Sequence, residues 1–361
     1  MKEKYFAASN SYKGFCSYYP SIFDIKKYAR IYVIKGGSGT GKSYFMKQVG
    51  TRAENVGYSV RYIYCSSDSS SLDGIIINEM NIAIIDGTSP HIYEPKFTGV
   101  AETIIDLGQF LDEGILVKSR KKIEEIYSEK LKRFAMAYNL LASYGKISEN
   151  IDGLVYPAIK MAKMRKFIGR FVDEIEMGKG EEEHFLSRSI GMNGLTSFNT
   201  YFENAKIYYA IDDYFDTAHI LLGELHSFLC KKRVDIMLSN NPIMSEKIDA
   251  LQIKNNNLTF EITNEIPKGA RIINMKRFID SDYVARNKRE YNSLIKARNS
   301  ILNLALDEFE RIKKCHFELE NIYGLAMNFD KKEQFCNEFC NKILQRNWKY
   351  IKRCYNKYII I

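Results

Sequence analysis

A chain of 361 residues is longer than one average domain and long enough for two. Hydrophobic residues at 45% and charged residues at 27% are globular values, which exclude a disordered chain, a collagen-like chain and a coiled-coil rod. The 53 Lys and Arg against 44 Asp and Glu leave a net charge of +9, compatible with nucleic acid or an anionic membrane without demanding either.

Met1-Lys2-Glu3-Lys4-Tyr5-Phe6 has no apolar signal-peptide run, and stretches such as Ile82-Ala83-Ile84-Ile85 are far too short to span a bilayer. The 7 scattered cysteines are odd in number and fit a reducing compartment, so a cytoplasmic location is expected. Cys336 and Cys340, four apart and near Cys315-His316, are expected on one face of a C-terminal helix rather than as metal ligands, since no CxxC knuckle is present.

In chain order, the first strong signal is Ile31-Tyr32-Val33-Ile34-Lys35-Gly36-Gly37-Ser38-Gly39-Thr40-Gly41-Lys42-Ser43. It satisfies GxxxxGK[ST] from Gly36 to Ser43, with an apolar, β-branched strand leading in and a helix-compatible segment, 44–53, leading out. The glycines let the backbone curl so that N–H groups from Gly36, Gly37, Ser38, Gly39, Thr40 and Gly41 surround phosphate oxygens. A helix starting near Gly41 adds its positive end. Lys42 is expected to reach the β- and γ-phosphates, and the Ser43 hydroxyl to ligate Mg²⁺. ATP with Mg²⁺ is the expected ligand.

Next comes Val60-Arg61-Tyr62-Ile63-Tyr64-Cys65, a second buried strand, followed by a loop over residues 66–74. Ligands bind at the carboxyl ends of strands in open α/β sheets, which makes Asp68 and Asp73 candidates to orient a water or accept a proton. The same residues equally suit a Ser/Asp turn capping the next element. Asn81-Ile82-Ala83-Ile84-Ile85-Asp86 is a buried strand closing on a carboxylate, so Asp86 is expected to hold Mg²⁺ directly or through water. Many motor-type ATPases place Glu after that Asp; here Gly87 follows, so hydrolysis is expected to be slow, assisted, or replaced by transfer to another acceptor. His91 reads either as a sensor or as a satisfied polar residue after a turn.

The second half echoes the first. A shift of 176 carries Ile31-Tyr32-Val33-Ile34 onto Ile207-Tyr208-Tyr209-Ala210, and Leu72-Asp73-Gly74 onto Ile248-Asp249-Ala250. At the place of the glycine-rich loop stands Asp212-Asp213-Tyr214-Phe215-Asp216-Thr217-Ala218-His219, without glycine, and Ile262 replaces Asp86. Three aspartates repel phosphate, so no nucleotide is expected there.

Each core is expected to carry an antiparallel helical hairpin, the two packing on each other or on the core, with apolar spacing through Ile123, Ile126, Leu131, Phe134, Tyr138 and Leu141, and again through Tyr291, Leu294, Ile301, Phe309 and Ile312. The division expected is 1–110, a nucleotide-binding core; 111–180, its appendix; 181–275, a degenerate core; and 276–361, a C-terminal appendix. The appendices are candidate surfaces for a protein partner. The basic cluster at 118–122 reads as a solvated helix face before a nucleic-acid contact, and the tail with Trp348, Tyr350, Tyr355 and Tyr358 suits RNA or anionic lipid as well as a frayed helix.

The loop at 35–43, then Cys65-Ser66-Ser67-Asp68, Leu72-Asp73-Gly74 and Ile85-Asp86-Gly87-Thr88-Ser89-Pro90-His91, resemble over nearly the whole chain a family of tandem P-loop ATPases of clostridia and related bacteria. The resemblance implies two α/β, three-layer P-loop NTPase-like domains with mainly parallel sheets, and ATP binding. Members often keep a glycine-rich loop in both halves; the second half here departs from that. The expected activity is Mg²⁺-dependent ATP hydrolysis in the first half with the second as scaffold or regulator. The alternatives are a kinase acting on a small molecule or nucleotide, and a non-catalytic nucleotide switch.

Overall fold

The structure, a computed structural model, describes residues 3–263 and 265–345. The first half runs β1 (Glu3–Phe6), β2 (Ala8–Ser11), β3 (Gly14–Ser17), α1 (Tyr19–Ile22), β4 (Arg30–Lys35), α2 (Lys42–Asn55), β5 (Val60–Tyr64), β6 (Leu72–Ile77), β7 (Ile82–Asp86) and β8 (Glu102–Asp106). It continues into α3 (Glu113–Lys118), α4 (Arg120–Val155) and α5 (Met161–Asp173). The second half runs β9 (Glu182–His184), β10 (Arg188–Gly191), β11 (Gly194–Ser197), α6 (Thr200–Glu203), β12 (Ile207–Asp212), α7 (Ala218–Lys231), β13 (Ile236–Asn240), β14 (Ile248–Ile253), β15 (Leu258–Ile262) and β16 (Arg271–Asn274). It ends in α8 (Ser281–Ala326) and α9 (Phe329–Leu344).

The two halves build the same sheet. The first has the order β1-β5-β6-β7-β4-β8, and the second, written from its other edge, has β9-β13-β14-β15-β12-β16. In each, β6 or β14 runs against both neighbours while the other pairings are parallel. The fold is mixed α/β with mostly parallel sheets flanked by helices. Strands covered on both faces read as near-continuous apolar runs, as residues 31–34 of β4 and 82–85 of β7 do. One expectation is corrected here: Leu72-Asp73-Gly74 opens the reversed strand β6 instead of closing a loop, so Asp73 is a buried strand residue.

The helical appendices pack on each other, as one of the expected arrangements has it, but not as a hairpin within each half. The long helices α4 and α8 pair antiparallel with each other, through Lys122 with Glu318 at one end and Arg298 over Tyr144 at the other. The shorter helices then cross over. α5 buries Met164, Ile168 and Val172 against the second core, while α9 buries Cys336, Cys340 and Ile343 against Phe45, Val49 and Tyr32 of the first. A helical hairpin within each half is thus replaced by an exchange between halves. Each appendix has one apolar stripe, and the sheet face it fits belongs to the other half.

The hairpins β2–β3 and β10–β11 make a second exchange. Ser189 Oγ donates to the Ser66 carbonyl (3.0 Å) and Met192 N–H to the Ser67 carbonyl (2.7 Å). In mirror fashion Ser9 Oγ donates to the Pro242 carbonyl and Tyr12 N–H to the Ile243 carbonyl (3.0 Å). Positions 66 and 67 correspond to 242 and 243 under the same shift of 176, so the halves meet as the two sides of a two-fold interface do. A core cluster joins Tyr5, Ile63 and Ile76 to Phe185, Tyr201, Met237 and Ala250.

Arg120 pairs with Glu124 and Lys122 with Glu318 on the surface, which makes the basic cluster a solvated helix face. Among the described residues no helix is long and apolar enough to cross a membrane. The aromatic, basic tail lies outside the described residues.

Candidate functional site

The carboxyl ends of the parallel strands of the first sheet collect on one edge, and the reversed strand β6 begins there. β4 lies between β7 and β8, with Ile34 paired to Asp86 and Lys35 to Asp106. The glycine-rich loop leaves β4 at this edge and enters α2 through Gly41 at φ +80°. Gly39 holds φ +70°, a left-handed bend that few side chains tolerate, and a Cβ there would also meet the Glu320 carbonyl oxygen at 2.7 Å.

Lys42 and Asp86 come together at this edge, and Ser43 opens α2 beside Lys42. Lys42 Nζ donates to the carbonyls of Gly36 (3.1 Å) and Gly37 (2.9 Å) and lies 3.6 Å from Asp86 Oδ2. Thr40 Oγ1 donates to the Gly37 carbonyl, and Ser43 Oγ accepts the Leu72 N–H at 2.9 Å. Ser38 Oγ is buried and has no hydrogen-bond partner among the described residues. Asp86 Oδ1 accepts from the Thr88 amide and hydroxyl. Burial pushes the Asp86 carboxyl above its ordinary range, against the pull of Lys42 and Thr88, and the charge of Asp73 adds to the rise.

Asp68 and Asp73 are not free to act as bases. Asp68 Oδ1 accepts from Ser70 and Asn193 and Oδ2 from Ser71, so it organises its own turn and clamps the β10–β11 hairpin. Burial works to raise its carboxyl, yet the bonds from Ser71, Ser70 and Asn193 together hold it below the ordinary value. Asp73 Oδ2 lies 2.9 Å from His91 Nε2, out of line for a good hydrogen bond. The His91 ring stacks on Tyr19 at 4.1 Å and is 5% exposed, so it is a packed partner of Asp73. Gly87 abuts Val33 Cγ1 so closely that no Cβ fits, which explains why no Glu follows Asp86. Burial lifts the Cys65 thiol well above its ordinary range and leaves it protonated.

What the sequence did not announce is the roof over the loop. A Cβ on Gly37 would lie 2.9 Å from the Tyr323 ring, and one on Gly41 would lie 2.8 Å from Lys332 Nζ. Tyr323 and Glu320 come from α8 and Lys332 from α9, both from the far half of the chain. Lys332 is 4% exposed, its ammonium stands over the rings of Tyr44 (4.5 Å) and Phe329 (5.0 Å), and it makes no ion pair or side-chain hydrogen bond among the described residues. Burial pushes it below the ordinary lysine range, despite Glu333. A sequence signal existed: Lys332 interrupts the apolar stripe Phe329, Phe335, Cys336, Phe339, Cys340 and Ile343. Behind it, Lys130 Nζ meets His316 Nδ1 at 3.2 Å, and His316 Nε2 lies 3.4 Å from Glu320.

The corresponding loop of the second half is closed by its own side chains. Asp213 Oδ1 accepts from the Thr217 N–H (3.0 Å) and Ala218 N–H (2.8 Å) at the start of α7. Asp216 pairs with Arg298 at 2.6 Å. Burial lowers His219 to about 4, so it is neutral. No family model, no curated protein and no solved structure matches this chain.

Proposed function

We propose that the first half binds Mg²⁺ and ATP at the glycine-rich loop and hydrolyses ATP slowly, with the second half as scaffold and roof. The observation that carries this reading is a set of polar groups converging on one loop: the Ser38 hydroxyl and the buried Lys332, both unpaired among the described residues, and the Lys42 ammonium resting on loop carbonyls. A phosphate chain satisfies all three at once. Backbone N–H groups of the loop and the start of α2 cradle its oxygens. Lys42 exchanges its carbonyl partners for phosphate, and Lys332 adds a second charge from the roof.

The oxygen donors Ser43 and Asp86 fit a hard cation, and Mg²⁺ is the ion such donors share with nucleotide phosphates. Mg²⁺, when bound, neutralises charge on the β- and γ-phosphates. Slow turnover follows from the neighbours: Asp68 is saturated, Asp73 is paired and Gly87 leaves no base beside Asp86. The roof favours a switch role as well. Phosphate in the loop acts directly on Lys332 and Tyr323, and so on the α8–α9 turn. The resemblance to tandem P-loop ATPases agrees with this reading.

The test is the melting temperature with and without Mg²⁺ and ATP, together with phosphate release. Wild type is expected to gain stability and release phosphate slowly. Two charge-assisted bonds at about 1.5–3 kcal/mol each put the loss in Lys42→Ala at roughly a hundredfold or more in affinity. An unchanged melting shift in Lys42→Ala overturns the assignment.

A further inference from the structure

At the opposite edge of the second sheet, four side chains with metal-binding chemistry meet. Glu182 and His184 lie on the edge strand β9; His226 and Cys230 lie one turn apart on α7. His226 Nε2 is 2.8 Å from Glu182 Oε2, Cys230 Sγ is 3.2 Å from His226 Nε2, and Cys230 Sγ is 3.8 Å from Glu182 Oε2. One ligand atom from each of Glu182, His226 and Cys230 lies within 4.8 Å of the other two. We propose that Glu182, His226 and Cys230 form a binding site for a borderline divalent cation, Zn²⁺ in the first place, independent of the nucleotide site.

The geometry and the donor set both point this way. Tetrahedral Zn²⁺ with bonds of about 2.0–2.3 Å holds its ligands roughly 3.4–3.6 Å apart, so the present separations need adjustments of about half an ångström. One carboxylate, one imidazole and one thiolate suit Zn²⁺ and exclude Mg²⁺ or Ca²⁺, which take oxygen. Three protein ligands leave the fourth position to water.

The surroundings supply orientation. Asn240 donates from Nδ2 to the Ser245 carbonyl (3.0 Å), which fixes its amide and turns Oδ1 toward His184 Nδ1 at 2.9 Å. The His184 ring is also stacked on Tyr18 at 4.9 Å. His184 Nε2 then meets Glu182 Oε1 at 2.9 Å and aims the other oxygen of Glu182 at His226 and Cys230. Outer-shell partners of this kind are usual around metal ligands. In the first half Gly50 and Glu54 occupy the places of His226 and Cys230 under the 176-residue shift, so the same ligand set does not recur at that place. The ligands are partly exposed, so a cation has an open path to them.

The experiment uses the full chain, stripped with chelator and kept reduced, titrated with Zn²⁺ against a chromophoric chelator and separately with Co²⁺. One Zn²⁺ per chain is expected, together with a thiolate-to-cobalt charge-transfer band in the near ultraviolet. Cys230→Ser is expected to lose that band, and His226→Ala to lose tight binding, with circular dichroism unchanged. His184→Ala is expected to weaken binding by about 10–100-fold, as an outer-shell residue does. Cys315→Ser is expected to bind as wild type. Absence of tight binding in wild type overturns the proposal. So does undiminished binding in His226→Ala and Cys230→Ser.

Discussion

The two glycine-rich-loop positions of this chain sit on two sheets of the same strand order, each followed by a helix, and they differ in what fills the helix N-terminus. In the first half it faces a loop of glycines with a lysine, a free hydroxyl and a second buried lysine around it. In the second, the Asp213 carboxylate already accepts the first N–H groups of α7, as a bound anion would. The bend itself survives the loss of glycine: Phe215, in the place of Gly39, holds φ +61°. That conformation costs of order 1–3 kcal/mol. The Phe215 ring is buried and stacked on Tyr291 at 4.0 Å, which outweighs it, since deleting a buried ring costs about 3–5 kcal/mol. A shared backbone thus serves two ends. Around one loop a hydroxyl and the Lys332 ammonium are left unpaired among the described residues, and the other loop satisfies itself.

Exchanging the roof residues tests this contrast hardest. Lys332 is the fourth residue of α9, and the fourth residue of α5, over the second core, is the fully buried Met164. Met164→Lys is expected to destabilise the protein by about 3–5 kcal/mol in denaturant titration, the cost of an uncompensated buried charge. The reverse change, Lys332→Met, is expected to raise the melting temperature of the nucleotide-free protein while weakening ATP about tenfold or more, the worth of one charge-assisted bond. Because burial lowers Lys332, wild-type affinity for ATP should fall as pH rises through the lowered lysine value. Lys332→Met should flatten that fall; equal slopes would remove Lys332 from the site.

Smaller effects sharpen the comparison. Asp213→Ala is expected to cost about 1 kcal/mol, as lost helix caps do, and to leave ATP stoichiometry at one per chain. Two nucleotides per wild-type chain by calorimetry would break the contrast outright. Asp86→Asn is expected to have the smallest effect on the free protein. Its folded carboxyl is raised, so folding favours the neutral form more than the unfolded chain does; that stability is present below the ordinary carboxylate range and lost as pH rises through the raised value. Asp86→Asn should therefore melt higher than wild type near neutral pH, with the gap closing in acid, while losing the extra stabilisation that Mg²⁺ adds to ATP.

Much of the fold was written in local pattern. The run 31–34 and the glycines after it announce β4 and its loop, and Ile82-Ala83-Ile84-Ile85-Asp86 announces β7, because buried parallel strands carry unbroken apolar sequence. The echo at 176 residues was readable for the same reason. Asp73 was misread because the reversed strand β6 starts directly after a Ser/Asp turn, and nothing local separates the last turn residue from the first strand residue. The exchange of α5 and α9 was not readable at all, since an apolar stripe states that a helix is covered and not by which half. Lys332 and Tyr323 stayed hidden behind that ambiguity. The cluster of Glu182, His226 and Cys230 stayed hidden too, because a strand and a helix more than 40 residues apart in sequence supply it.

The reciprocal grip of the hairpins, Ser189 on Ser66 and Ser9 on Pro242, has a consequence for how such a molecule can change. Between two identical chains related by a two-fold axis, any substitution appears twice, and a loop lost on one side is lost on both. Joined in one polypeptide, the two sides are inherited together but altered one at a time. The covalent link lets one copy lose its glycine-rich loop and collect Glu182, His226 and Cys230 while the other copy keeps its glycines and Lys42.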